Sequence, residues 1–597
     1  NKIKMAEVLI SPGVLAREND QSQITAGPIQ AGAAIIGPTV KGQNEIPQLI
    51  TSYSEYLASY GSTFLSGSNQ YTYFTSISAY NYFQNGGNTL LVTKVSSASM
   101  SPATSSFMIT GSDGAAVGQI GEATSPFVLE TISDGAIMNS GLGNDSSPTG
   151  TNGTLGSGSS DNYRWEITTP NTASGTFGLL IRSGNDTNSS KQVIETYPNL
   201  SLDPLATNYI ARVIGDQTDT LLGSGTGVYL QTTGSFPNAS RFVRVKSVGY
   251  QTPNYLDNDG NARVEFTSSI PSAQSGSFGS ANGGVGFVNA GDIAQKPQNY
   301  YATINNTNQQ GLDGSDYTKA INLLANRDEY RYNLITAPGL ILDNASTGAG
   351  WTLIQSNCEN RGDAIFVGDL SNYNSSITQV GSTAASVDSS YVATYWPWLM
   401  ISDPDSRQLV WVPASAMIPG VYAYNDRAGE PWFAPAGINR GGLGSVRQAE
   451  RKLTNANRDT LYTAKVNPIA TFPGTGIVVF GQKTLQTKAS ALDRVNVRRL
   501  LITLKNYISQ IADTLVFEQN TAATRNTFLS QVNPYLESVQ QRQGLYAFKV
   551  VMDNSNNTPD VIDRNELIGA VYLQPTKTAE FIYLDFNILP TGATFPA

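Results

Sequence analysis

No histidine occurs anywhere in the 597 residues, so no imidazole is present as base, relay or zinc ligand. Every catalytic triad or relay built on one is excluded. The single cysteine, Cys358, has no partner for an internal disulfide, and a reactive thiol there lacks a histidine to activate it. It reads as a buried structural thiol. Charge is also scarce: only 14% of residues are charged, so the surface must be covered largely by Ser, Thr, Asn, Gln and Gly. Acidic residues outnumber basic ones 46 to 37 and the pI is near 4.8, which argues against nucleic acid as a direct partner. No apolar run reaches the ~18 residues of a membrane span, and the opening Asn1-Lys2-Ile3-Lys4 lacks a signal-peptide core. These absences point to a soluble protein made in a reducing cytoplasm; they narrow catalysis without excluding it, and no enzymatic activity, cofactor, metal or membrane insertion is expected. The chain starts without methionine, leaving room for residues before Asn1.

What is present is length, enough for roughly four domains. Near the N-terminus, Val8-Leu9-Ile10 is a short strand stopped by Ser11-Pro12-Gly13, and Val14-Leu15 a second. With few covalent neighbours to pair with, a strand there must find a sheet edge elsewhere, and residues 1–20 are read as an arm. Ala31–Gly37 reads as a buried strand, Thr51–Tyr60 and Tyr71–Phe83 as helices, and Leu90–Val95 as a strand, the rhythm of an α/β layer. From about Ser96 the chain turns to Ser, Gly, Thr and Asn, with short strands between turn clusters. Residues 96–162 are expected to form one inserted β-rich domain and 163–305 a second, mixed one. The run Gly223–Gly227 has no lysine for a phosphate loop and is read as a hairpin loop. The α/β rhythm returns with a helix at Tyr317–Ala325, a helix at Trp351–Glu359 and a strand at Ala364–Val367. The expected fold class is therefore multidomain α/β (α+β). Its inner core is built from 21–95 with 306–489, and β-rich outer domains are inserted between. No internal repeat is visible.

Aromatics and prolines crowd residues 390–440, including Tyr391, Tyr395-Trp396-Pro397-Trp398, Trp411, Tyr422 and Trp432-Phe433. A glycan-binding platform is one reading, and aromatic anchoring of irregular loops on a core the other. In Ser490–Pro590 the residues Val497, Leu500, Leu501, Leu504, Ile508, Ile511 and Leu515 recur at three- and four-residue steps, one buried helical face. Arg494, Arg498 and Lys505 recur along another side, with Arg499 beside them. That row is either a solvated face or a contact surface.

Several stretches in order resemble the sheath protein of contractile phage tails, of the long-tailed myovirus kind. They begin with Ser11-Pro12-Gly13-Val14, Ile35-Ile36-Gly37 and Tyr60-Gly61, then Tyr82-Phe83 with Asn85-Gly86-Gly87 and Glu195–Ser201. Ala337-Pro338-Gly339, Pro397-Trp398, Gly420–Ala423 and Asp426 continue the series. Asp493–Leu500, Asn557-Thr558-Pro559 and Val561–Glu566 match most closely. Leu15 departs from the family's pattern, where an aromatic follows Pro-Gly-Val, as does Phe480, where an indole is common.

The resemblance implies a structural subunit that polymerises as stacked hexameric rings around a tail tube and contracts to drive the tube through the host envelope. It implies as partners the chain itself, the tail tube protein, and the baseplate and tail terminator proteins, in a virion assembled in the host cytoplasm. Residues 490–597 become an inner domain with a C-terminal arm. Two strand arms, Val8, Leu9, Ile10, Val14, Leu15 and Phe581, Ile582, Tyr583, Leu584, Phe586, Ile588, are expected to pair with neighbouring subunits. Arg494, Arg498, Arg499 and Lys505 are expected to face the tube or an adjacent subunit. Reversing Arg494 and Arg498 to Glu is then expected to cost little thermal stability. Two other readings remain open: the sheath of a capsid-free bacterial injection apparatus, and a receptor-binding adhesin or tailspike-like protein using residues 96–305.

Overall fold

The computed structural model describes residues 29–61, 63–66, 69–96, 102–105, 109–110, 116–117, 126–134, 161–278, 310 and 312–580. The expected arm residues Val8–Leu15 and Phe581–Ile588 lie outside these described residues.

The core is an eight-stranded sheet. Its strands are β1 (Ala33–Gly37), β2 (Pro47–Ile50), β3 (Leu90–Lys94), β4 (Leu334–Ile341), β5 (Ile365–Asp369), β6 (Val392–Trp396), β7 (Asn467–Phe472) and β8 (Gly476–Val479). In space they run β8-β7-β6-β5-β4-β1-β3-β2. The six central strands are parallel, and an antiparallel strand closes each edge.

Parallel strands covered on both faces need apolar side chains in both directions, which is why β1, β3 and β5 read as unbroken apolar runs. Ala33, Ile35, Leu90, Val92, Ile365 and Val367 point to one layer, while Ala34, Ile36, Leu91 and Phe366 point to the other. The first layer is covered by α1 (Phe74–Gln84), through Phe74 and Ile77. The second is covered by α2 (Thr318–Leu324), α3 (Gly348–Arg361) and α4 (Ile377–Ala385), through Leu323, Trp351, Ile354 and Val380. Two later helices, α5 (Ile418–Ala428) and α6 (Asn455–Thr463), join the first and second layers respectively. Cys358 is buried in the second layer, where burial pushes its thiol pKa up. The thiol is thereby kept in its unreactive protonated form. Tyr395, Trp396, Trp398, Tyr422 and Trp432 are buried too, so these rings of the 390–440 stretch pack the core.

The inserted segment differs from expectation in its division. Strand Phe127–Asp134 pairs with Pro102–Thr104 on one side and with Val243–Val248 on the other. A boundary at 162/163 therefore cuts through a sheet. A second, four-stranded sheet (Tyr163–Asn171, Thr176–Ser183, Val193–Ser201, Gln274–Ser277) shares one apolar cluster with the first, and Phe127 stacks on Phe177 at 5.4 Å. The physical reason is area: among the described residues, Ala103, Phe127 and Leu129 bury their side chains against strands that come after residue 162. Gly223–Gly227 joins the hairpin strands Thr218–Leu222 and Tyr229–Thr233. The insertion is fastened to the core by buried lysines. Lys94 Nζ donates to the carbonyls of Gly42 (3.1 Å) and Asp134 (3.0 Å), and Lys41 lies 3.5 Å from Asp161.

The C-terminal part holds α7 (Val495–Asp513), α8 (Ala522–Gln541) and an antiparallel pair, β9 (Leu545–Val551) with β10 (Ala570–Pro575). Leu500, Leu504 and Ile511 of α7 meet Phe528, Val532, Leu536 and Val539 of α8, with Trp432 joining from the core.

Candidate assembly site

Helix α7 is long enough, at 19 residues, to span roughly 28 Å. Its apolar stripe is divided between two bodies. Val495 and Ile502 enter the core layer, while Leu500, Leu504 and Ile511 enter the C-terminal cluster. The polar side of the helix lies across the amino ends of three consecutive parallel strands. Arg498 Nε donates to the Ser390 carbonyl (3.2 Å), just before β6. Lys505 Nζ donates to the Gly362 carbonyl (3.3 Å), just before β5, and Asn506 Nδ2 donates to Asn333 Oδ1 (2.9 Å), just before β4. Gly362 ends α3 with φ +70, and a Cβ there would sit 3.1 Å from Lys505 Nζ, so the close approach depends on glycine.

The cation row thus goes to a different place from the one the resemblance implied. Arg498 is 4% exposed, its guanidinium lies 4.0 Å from the centre of the Tyr391 ring, and burial lowers its pKa. Arg499, 8% exposed, donates through one nitrogen to both oxygens of Asp426 on α5 (2.8 and 2.6 Å) and lies over Tyr422 at 4.6 Å. Burial opposes its charge, but Asp426 outweighs burial and holds the pKa above the ordinary value. Both guanidiniums are engaged inside the chain. Periodicity places residues on a helix face; it does not say what that face meets.

Arg494 precedes the first turn and is partly exposed. Its Nε donates to Glu580 Oε1 at 2.7 Å, and Asp493 lies 3.0 Å away. Glu580 also accepts from Gln482 Nε2 (3.0 Å) and from the Tyr462 hydroxyl (2.6 Å). Burial pulls the Glu580 pKa up, but the bonds from Tyr462, Arg494 and Gln482 outweigh it, and the carboxyl ends below its ordinary value. Phe581, the first residue of the expected C-terminal arm, follows directly.

At the other end of α7, Asp513 lies 3.6 Å from Arg331. Arg331 sits in the strand Tyr330–Tyr332, which pairs in parallel with Ile29–Ala31, the first described segment of the chain. One helix therefore touches, at its two ends, the points where the two terminal segments join the body. Sequence reasoning missed Glu580, Gln482, Tyr462 and Arg331. Each is polar and distant in sequence, and no local pattern marks it.

The β9/β10 pair adds a third feature. Phe548, Val550, Val571 and Leu573 pack into the C-terminal cluster, leaving Tyr546 and Tyr572 exposed. Among the described residues neither outer edge of the pair has a strand partner, the condition under which an edge can take on a further strand.

A helix that bars strand ends, joins two cores and reaches the roots of both terminal segments is the joint of an architectural protein. Residues 310–485 match the phage tail sheath protein central domain and residues 487–589 the phage tail sheath C-terminal domain. Over 310–485 and 487–589 the chain is thus similar to the two domains of phage tail sheath proteins. It is 41% identical over 216 residues to the tail sheath protein of Vibrio phage KVP40, covering 36% of this chain and 31% of that protein. It is 37% identical over 216 residues to the tail sheath protein of Enterobacteria phage T4, covering 36% and 32%. The matched segment spans about a third of the length of these curated relatives. The crystal structure of a sheath tail protein from Listeria innocua aligns with 92% of this chain and 96% of its own, at 11% identity and a TM-score of 0.47.

Proposed function

We propose that the chain is the structural subunit of a contractile tail sheath, stacking as hexameric rings around a tail tube and shortening to drive that tube through a host envelope. The observation that carries the reading is α7: one rigid helix ties the core sheet to the C-terminal domain and anchors the roots of both terminal segments. The tail sheath domains matched over 310–589 support it. In this reading the arms Val8–Leu15 and Phe581–Ile588 add strands to neighbouring copies, and the open edges of β9/β10 are where such strands attach. Backbone hydrogen bonds in a ladder contribute roughly 1 kcal/mol each, in series, so these links outlast contraction. The further partners are the tube, baseplate and terminator proteins, and the place of action is the phage tail, after assembly in the host cytoplasm.

Electron microscopy of the purified protein tests the reading directly. Ribbed tubes or stacked rings are expected. Monomers alone at every concentration, with or without tube protein, refute it.

A further inference from the structure

We propose that a cationic strip at one edge of the eight-stranded sheet docks on the acidic cavity at the opposite edge of a second copy of this chain, in a head-to-tail contact. The proposal rests on the reading of the chain as self-assembling and names the surfaces involved.

The strip is residues 440–458. In a chain of net charge −9 it holds Arg440, Arg447, Arg451, Lys452 and Arg458, with Glu450 as its only carboxylate. Glu450 is turned inward, accepting the backbone N–H groups of Asn374 (2.6 Å) and Trp398 (3.2 Å). None of the five cations has a carboxylate within ion-pair reach among the described residues, unlike Arg494 and Arg499. Aromatic shelves hold three of them in place. Arg451 lies 5.7 Å from the Trp396 ring, Arg440 lies 5.1 Å from Phe433, and Arg458 lies 5.2 and 5.6 Å from Phe472 and Phe480. Phe472 and Phe480 form one shelf, their ring centres 5.0 Å apart, and the Phe480 N–H donates to the carbonyl of Pro468, which pairs with Trp396 in the sheet. Phe480 is 45% exposed. Cations with no ion-paired carboxylate among the described residues, three of them held over rings and one beside the exposed Phe480, fit an acidic protein surface.

This chain offers such a surface at its other edge. A cavity of about 590 Å³ is lined, among the described residues, by Glu45, Asp134, Asp219 and Asp316 and by the cations Lys319 and Arg244. Lys319 lies 3.8 Å from Glu45, and Arg244 is committed to Glu130 at 2.6 Å. Burial raises the pKa of Glu45, Asp134 and Asp316, and Glu45 and Asp316 repel each other. Among the described lining residues four carboxylates face two cations, one of them committed to Glu130, so negative charge is in excess in the single chain.

Position makes the two surfaces complementary between copies rather than within one. The cavity adjoins β2 and β3 through Glu45, Ile46 and Ser96, and the strip meets β8 through Gly441 and Gly442, with Arg447 in a strand (Val446–Ala449) of a separate three-stranded sheet beside it; the two edges are seven strand spacings or roughly 33 Å apart. Patches of opposite charge at opposite edges define a heterologous contact, which closes into a ring or continues as a helix according to its rotation. Being partly exposed, the contact weakens with salt.

The test uses the full chain in two charge-reversed forms, one carrying Arg447→Glu with Arg451→Glu and the other Asp219→Lys with Asp316→Lys. Circular dichroism and melting first establish that both fold. Sedimentation then measures the concentration at which copies associate. Each variant alone is expected to need at least tenfold more protein than the parent chain, and their equimolar mixture to return within threefold of it, because every mixed contact is again between opposite charges. Association of either variant at the parent concentration, or a mixture no better than its components, overturns the proposal. Loss seen only with the Arg variant points to a different acidic partner and overturns it equally. Charge-dependent pairing without ribbed tubes in micrographs leaves this contact standing and removes the sheath reading. Tubes that form unchanged in the variants do the reverse.

Discussion

Arg498 and Arg499 are neighbours in the chain and meet different surroundings, the first over Tyr391 and the second against Asp426. Replacing Arg498 by Glu puts an unpaired carboxylate where a buried guanidinium donates to the Ser390 carbonyl. Stability to denaturant is expected to fall by roughly 3 kcal/mol, the scale for an uncompensated buried charge, and Arg498→Lys by less than half of that. This inverts the expectation drawn from the resemblance, in which the reversal was nearly silent. An Arg498→Glu protein that melts with the parent restores the outward-facing reading. Two carboxylates give pH signatures of opposite sign. Asp369 is pushed up to about 6 by burial, against hydrogen bonds from Ser415 and Gly339. Its charged form is the disfavoured one, so the penalty is full above pH 6 and fades as pH falls toward roughly 3.9, the unfolded value. Acidification through that window should stabilise the parent relative to Asp369→Asn, by at most about 1.4 kcal/mol per pH unit. Glu580 is depressed, so its contribution is present above roughly pH 4.3 and is lost as pH falls through its lower folded value. Compared with Glu580→Gln, the parent should lose stability only below about pH 4. Denaturant titrations across pH 3.5–7 separate the two.

Among the elements, α7 shows what periodicity carries and what it omits. Its aliphatic stripe is legible because burial on a helix repeats every 3.6 residues, and Leu500, Leu504 and Ile511 are buried as that repeat requires. The stripe does not say that it is shared between two cores, nor that the opposite face lies on strand ends, since Ser390, Gly362 and Asn333 are more than a hundred residues away. Leu504→Ala should cost roughly 2–5 kcal/mol by leaving a cavity between α7 and α8. Truncation of Tyr507, which is partly exposed and stacks on Tyr535 at 3.7 Å, should cost clearly less. Equal losses at the two positions in urea unfolding contradict the packing described. That the insertion holds short strands was legible, but their grouping was not. Phe127–Asp134 and Val243–Val248 pair across more than a hundred residues, and alternation within a strand says nothing about its partner.

At the scale of the whole molecule, the chain is a sheet-centred core with an insertion fastened by Lys41 and Lys94 and a C-terminal domain fastened by α7. If the N-terminal arm serves only to link copies, deleting residues 1–15 should leave the melting temperature within a degree or two of the parent while abolishing tubes in micrographs. Tubes that persist remove the arm from the assembly mechanism, and a large fall in melting temperature assigns it to the fold. The α/β core was legible because strands buried on both faces need continuous apolar runs, as at Ala33–Gly37 and Leu90–Lys94.

Composition and local pattern, by themselves, determined that no imidazole chemistry operates here, that Cys358 is structural, that an α/β core is interrupted by β-rich sequence, and that Val495–Asp513 is an amphipathic helix. These properties depend on residue identity and short-range spacing, which a linear chain displays. Only the tertiary structure decided which cations are used inside and which face out. It took Arg498 and Arg499 into the joint, tied Arg494 to Glu580, and left Arg447, Arg451 and Lys452 exposed at a sheet edge. A charge is internal or external according to the partners that folding brings to it, and those partners lie far away along the chain.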